Sequence, residues 1–417
     1  MAPFFVPQNY STVINYIKLI FLLAMIQFGR TGLSQQSGEV VGQLYSDGSL
    51  VKITFKDGII TDIVPQTPGN ETIDHFIAPG FIDTQLNGYA NESFSVEGLN
   101  VDKVDKITTS LWKEGVTTYV PTYVTSPKTI YLDNLKVLAD YIENHPNGGC
   151  TPGAFLEGPY ISPIDGFRGA HNLKHVRDPD WKEFESFIKA SNNHIIMIGV
   201  APEQPGAMDF IKKTLDKNIM VSLAHHNGSM EQVKEAVGLG ATVSTHLGNG
   251  CANHIHRHDN PLWPQLSEDN LTPSIIVDGH HLRREEVRTF YKVKGPENLM
   301  LVSDAVFLSG MPPGEYEWAG KKVVMTAEGK LRMPDQDVLA GASFPIHTGI
   351  SNVMNYTGCS LNDAVNMATR VPARVFGFTD RGSLEKGKRA DMVVLTRENG
   401  KVVVQKTIVN GKTVYTK

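Results

Sequence analysis

Five short apolar runs in this sequence end on a residue that can bind a metal or move a proton. They are Phe155-Leu156-Glu157, Val221-Ser222-Leu223-Ala224-His225, Val243-Ser244-Thr245-His246, Ile275-Ile276-Val277-Asp278 and Leu301-Val302-Ser303-Asp304. One carboxylate and two imidazoles, those of Glu157, His225 and His246, make a three-ligand site for a divalent ion such as zinc, with a position left for water. Asp304 then takes a proton from that water and returns it to the leaving group, which is the chemistry of a metal-dependent hydrolase. Each residue also has a purely structural reading, because a lone histidine at a strand end can hydrogen-bond a loop through either ring nitrogen. Convergence favours the shared site, since burying so many ionisable groups at one place without a cation is costly. His226, His254, His256 and His258 are compatible equally with solvated loop surface and with substrate contact, and Cys251 reads as a small, buried or half-buried filler.

Residues of this kind must be carried to one point by a scaffold. Between about Pro79 and Gly377 short apolar runs alternate with amphipathic stretches, the pattern of parallel β/α units. The predicted strands are Phe81–Asp83, Val116–Val120, Ala154–Glu157, Ile195–Val200, Met220–His225, Ala241–His246, Ser274–Asp278 and Leu299–Asp304, about eight, which is the number that closes a (β/α)8 TIM-like barrel. Helices are expected within Val101–Glu114, Trp181–Ala190, Met230–Gly238 and Arg283–Val293, where apolar side chains recur on one face. In such a barrel the C-terminal strand ends carry the chemistry, which is where the five polar residues fall. Both chain ends read differently, as β-prone runs separated by Asp47-Gly48, Asp57-Gly58, Asn399-Gly400 and Asn410-Gly411, pairs that favour tight hairpins. Neither end has enough strands to bury a face alone, so residues 35–78 and 379–417 are expected to form one small β-sandwich domain beside the barrel of residues 79–378.

The chain has 417 residues, 41% of them hydrophobic and 20% charged, which suits a large packed core and excludes a disordered polymer. With 39 basic and 44 acidic residues the net charge is −5, so there is no overall basic field for nucleic acid or an anionic membrane. Three scattered cysteines, Cys150, Cys251 and Cys359, form neither a fully paired disulfide framework nor a Cys-x-x-Cys metal motif. Residues 19–26 form an apolar run followed by Gly32-Leu33-Ser34, which reads as a cleavable export signal, although the stretch before Tyr16 carries no Lys or Arg. Residues 1–34 are therefore set aside as a signal peptide or a disordered leader, too short in its apolar run for a stable membrane span. The protein is expected in the periplasm or outside the cell if that segment is a signal, and in the cytoplasm otherwise.

At the polar residues the chain resembles a known family, the N-acetylglucosamine-6-phosphate deacetylases of the amidohydrolase superfamily. The resemblance rests on Ala78-Pro79-Gly80-Phe81-Ile82-Asp83 with Gln85, Asn87 and Gly88; on Leu156-Glu157-Gly158-Pro159-Tyr160-Ile161; on Gly169-Ala170-His171; and on Thr245-His246-Leu247 with Asn249. Asp278-Gly279 with His281, Val302-Ser303-Asp304-Ala305, Leu339-Ala340-Gly341 and the tail from Arg381 to Asp391 extend it to the C-terminal region. The resemblance implies a metal-dependent amidohydrolase, active in amino sugar catabolism, that deacetylates N-acetylglucosamine 6-phosphate to glucosamine 6-phosphate and acetate. It implies that Glu157, His225 and His246 hold one divalent ion per subunit, with Zn the leading choice and Fe, Mn or Co acceptable. It further implies Asp304 as general base and acid, His171 as polariser of the amide carbonyl, Asn249 and His281 as contacts to the sugar or its phosphate, and a homodimer.

Two departures qualify it. Many amidohydrolases carry His-x-His after the first strand for a second metal, whereas this chain has Gln85 and Asn87, weak ligands that favour a single-metal site. The segment Asn249–Pro261 also differs from the shorter polar loop usual in the family, and Arg257 is the candidate there for gripping a phosphate with its guanidinium fork. Two other functions remain open on the sequence: the same fold acting on an unphosphorylated N-acyl amino sugar or N-acyl amino acid, and a non-enzymatic barrel serving as a binding module.

Overall fold

The computed structural model describes residues 37–67, 69, 73–318, 321–334, 338–339 and 341–417. The proposed export signal lies outside the described residues. Eight parallel strands form the central sheet: β1 Phe81–Leu86, β2 Val116–Tyr123, β3 Ala154–Leu156, β4 Ile195–Val200, β5 Met220–Leu223, β6 Val243–Ser244, β7 Thr272–Ile276 and β8 Met300–Val302. They follow one another in sequence order, and an additional parallel bridge between Leu86 and Ala305 joins the first to the last. The seam is reinforced by the Asp304 amide donating to the Gln85 carbonyl at 3.0 Å and the Asn87 amide donating to that of Ala305 at 2.8 Å. Beneath it the buried Asp83 carboxylate accepts from the Ser303 amide at 3.1 Å.

The helices form where the apolar spacing requires. Val101–Leu111 starts on Asn100, whose side chain accepts from the Lys103 amide, and buries Val104, Ile107 and Leu111 along one face. Trp181–Ala190 follows its expected bounds, and Met230–Leu239 opens on a reciprocal capping box between Ser229 and Gln232. Strand and helix side chains merge into one core that includes Phe81, Leu156, Ile198, Leu223, Ile275 and Leu301. Among the described residues no helix is long and apolar enough to cross a membrane.

Both chain ends meet in one seven-stranded sheet. Strands Ser37–Leu44, Leu50–Lys56, Ile59–Pro65 and Phe76–Pro79 come from the N-terminal side, and Met392–Glu398, Lys401–Val409 and Lys412–Thr416 from the C-terminal side. The two sets join where Met392–Leu395 pairs antiparallel with Phe76–Pro79, and Ile53, Phe55, Ile77, Met392 and Ile408 share one apolar cluster. In the turns Asp57-Gly58, Asn399-Gly400 and Asn410-Gly411 both residues have positive φ, as two-residue hairpin turns demand. A further four-stranded antiparallel sheet, Gly314–Trp318, Lys321–Met325, Leu331–Met333 and Val338–Leu339, follows β8 and was not expected from the sequence. Its own small core of Val306, Leu308, Val323, Met325 and Leu331 packs against Ala170, the residue before His171.

Candidate metal centre and active site

The strands stop just short of the polar residues they deliver. β3, β5, β6 and β8 end at Leu156, Leu223, Ser244 and Val302, one or two residues before Glu157, His225, His246 and Asp304. His225, His246 and Asp304 adopt φ of 47°, 33° and 51°, a left-handed conformation that side-chain-bearing residues rarely take and that breaks the extended run just past each strand. Two glycines make room for the result. A Cβ at Gly169 would lie 2.9 Å from a ring atom of His225, and one at Gly250 about as close to both His225 and His246.

Glu157, His225 and His246 converge, all three buried, with one candidate ligand atom from each inside a 4.8 Å span. His246 Nε2 lies 2.9 Å from Glu157 Oε1, His225 Nε2 3.2 Å from the same oxygen, and the two Nε2 atoms are 3.1 Å apart. His225 Nδ1 sits 2.9 Å from the Phe167 carbonyl oxygen, which can only accept, so Nδ1 carries the proton of a neutral ring and Nε2 presents a lone pair. Lone pairs facing one another across about 3 Å repel unless a cation lies between them. Ligands about 2.0–2.1 Å from a tetrahedral ion are separated by roughly 3.3 Å, close to these spacings. The donor set therefore fits a divalent ion.

His171 stands against this cluster, with Nε2 3.2 Å from His225 Nε2 and 3.9 Å from Glu157 Oε2. Its other nitrogen, Nδ1, accepts from the Thr125 backbone N–H at 3.2 Å and lies 2.8 Å from the Thr125 hydroxyl. Accepting there leaves the ring proton on Nε2, pointed into the site, and burial followed by the neighbouring His225 pushes the imidazole down to about 3, so it stays neutral. Thr125, which the sequence did not single out, fixes this tautomer; its position just beyond the end of β2 was the available signal.

Opposite, Asn87 Nδ2 donates to Asp304 Oδ1 at 2.6 Å and Gln85 Nε2 to Glu157 Oε1 at 3.0 Å. The positions where His-x-His would ligate a second ion are thus spent on holding two carboxylates. Burial and the facing Glu157 push the Asp304 carboxyl upward.

The remaining expected residues lie farther out. His281 is held through Nδ1 by Asp278 Oδ2 at 2.8 Å, and Asp278 also accepts from the backbone N–H groups of His280 and His281. Asn249 donates its backbone N–H to the His246 carbonyl, and its side-chain Nδ2 is buried without a partner among the described residues. Arg257 is exposed, and among the described residues its guanidinium has no polar partner, so it stands outside the cluster. His254, His256 and His258 are exposed as a solvated loop would be, whereas His226 is buried, which removes the solvated-surface alternative for it, and its Nδ1 accepts from the Gly228 amide at 3.1 Å. Cys251 is half-buried.

The sequence profile of the amidohydrolase family matches residues 76–414. An N-acetylglucosamine-6-phosphate deacetylase of Haemophilus influenzae is 32% identical over 367 residues, covering 85% of this chain and 92% of that protein. An N-acetylgalactosamine-6-phosphate deacetylase of Escherichia coli O157:H7 is 29% identical, covering 82% of this chain and 90% of its own length. Among solved structures, the N-acetylglucosamine-6-phosphate deacetylase of Pasteurella multocida superposes with a TM-score of 0.81 at 28% identity, covering 91% of this chain and all of that one. A mutant of the Mycobacterium smegmatis enzyme in complex with N-acetyl-D-glucosamine-6-phosphate gives 0.81 at 26% identity over 92% of this chain and all of that one.

Proposed function

Since the chain belongs to the amidohydrolase family and, within it, to the N-acetylglucosamine-6-phosphate deacetylases, we propose that it hydrolyses the acetamide of N-acetylglucosamine 6-phosphate, giving glucosamine 6-phosphate and acetate. The observation that carries this reading is the convergence of Glu157, His225 and His246 beside Asp304 and His171. A divalent ion held by those three residues supplies Lewis acidity and lowers the pKa of the attacking water; a Glu and two His suit Zn best, with Fe, Mn or Co as alternatives.

The chain's own groups do the rest. His171 Nε2–H donates to the acetamide carbonyl oxygen as negative charge develops there. Asp304, held by Asn87, takes the proton that the water gives up and passes it to the departing nitrogen. Gln85 steadies Glu157 from the side a second metal would occupy in other family members. Asn249 and His281 serve the sugar or its phosphate, and Arg257, exposed on its loop, serves the phosphate of a neighbouring subunit in a homodimer.

The galactosamine epimer is a second reading, favoured by the name of the Escherichia coli relative. Acetate release by the metal-loaded protein from N-acetylglucosamine 6-phosphate, its galactosamine epimer and unphosphorylated N-acetylglucosamine separates these cases. Strong preference for the first is expected; equal rates with and without phosphate overturn the substrate assignment. Metal analysis of the purified protein identifies the ion.

A further inference from the structure

Asn87 presents a hydrogen-bond acceptor that has no partner among the described residues. Its backbone is clamped, the N–H donating to Ala305 at 2.8 Å and the carbonyl accepting from Phe94 at 3.2 Å. The side-chain amide nitrogen faces Asp304, donating to Oδ1 at 2.6 Å. The other end of the side chain, Oδ1, is buried without a partner among the described residues, although the residue is only 6% exposed. An orphaned acceptor is costly to bury and calls for a donor that arrives later.

We infer that Asn87 Oδ1 receives the N–H of the substrate's acetamide, so that this site is built for a secondary amide and not for an ester. The inference rests on the deacetylase reading above. Asp304 must deliver its proton to the scissile nitrogen, so that nitrogen has to come beside Asp304, where Asn87 also lies. As water adds to the carbonyl carbon the nitrogen becomes pyramidal and regains its lone pair. With its N–H held on Asn87 Oδ1, that lone pair is turned toward Asp304. The proton Asp304 took from the water then moves to nitrogen, the C–N bond breaks with its electrons on nitrogen, and amine and acetate leave. An ester oxygen has no hydrogen to offer Asn87, so its hydrolysis gains nothing from this contact.

The test measures kcat/KM for N-acetylglucosamine 6-phosphate and for its 2-O-acetyl counterpart, glucose 6-phosphate acetylated at O2, in wild type and Asn87→Ala. Taking the amide-to-ester ratio on one preparation cancels the fraction of folded, metal-loaded enzyme and the loss of support to Asp304, which both substrates share. The ratio is expected to fall about tenfold in the variant. An unchanged ratio, with both activities lowered together, makes Asn87 a support for Asp304 alone and overturns the inference. A wild type that releases acetate from neither substrate overturns the deacetylase reading and the inference with it.

Discussion

Three histidines at the barrel mouth and three on the loop after β6 have the same side chain and opposite fates. His171, His225 and His246 are buried, with successive ring centroids 4.3 and 4.7 Å apart and their Nε2 atoms gathered at one point. His254, His256 and His258 are exposed, and His256 turns its Nδ1 back to accept from the backbone of His258 and Asp259. His256 and His258 lie 6.1 Å apart by ring centroid, near enough to suggest a cluster if distance alone were the criterion. The difference lies in the backbone. His225 and His246 follow directly on strands of the barrel sheet, and Phe167 and Thr125 fix the second nitrogens of His225 and His171. Among the described residues, His256 bonds within its own turn.

That contrast is broken most directly by removing a histidine from each set. His246→Ala is expected to strip the ion and lower acetate release by at least about 10⁴-fold, whereas replacing His254, His256 and His258 together with alanine should leave metal content and rate within about threefold. Metal analysis and kinetics on the two proteins decide it, and a loop variant that loses its metal would erase the distinction. Asp304→Asn sharpens it from the other side, keeping the ion while losing about 10²–10⁴-fold in kcat, because it removes a proton carrier and no ligand. Thr125→Val should cost about 10–100-fold in kcat with little change in KM, since the hydroxyl supporting His171 is lost while the backbone donor stays.

The same contrast explains what could be read in advance. All eight barrel strands were visible as apolar runs, and the sheet takes them in sequence order. Their C-terminal limits were overestimated at His225, His246 and Asp304 because the left-handed turn that ends each strand leaves no mark on the apolar pattern. β2 ran on to Tyr123, beyond the expected Val120, because Pro121 looks like a strand breaker yet lies within the strand, where Leu86 is its partner in β1. The sheet between Gly314 and Leu339 went unseen since its short strands are interrupted by glycine, proline and charge, and its few apolar residues share a small cluster of their own with Val306 and Leu308. The ligand set was legible from strand-end chemistry. The groups that orient His225 and His171, the Phe167 carbonyl and the Thr125 backbone N–H, act through backbone placement, which the apolar pattern does not mark.

Asp278 and His281 lie between the two extremes, buried like the mouth yet bonded to each other. Burial would raise the Asp278 carboxyl, but hydrogen bonding and charge from His281, with the backbone N–H groups of His281 and His280, overcome it and bring it down to about 2. An ordinary carboxylate in the unfolded chain titrates near 4. With the folded value below the unfolded one, ionised Asp278 contributes its full stabilisation above about pH 4 and loses it as the pH falls through about 2. The displacement corresponds to about 2 kcal/mol. Asp278→Asn cannot ionise, so chemical denaturation should find it about 2 kcal/mol less stable than wild type at pH 7, with the gap closing between about pH 4 and 2. A gap that persists unchanged to pH 2 would mean that the asparagine fails for reasons of shape, and that the Asp278–His281 pair belongs energetically with the loop and not with the mouth.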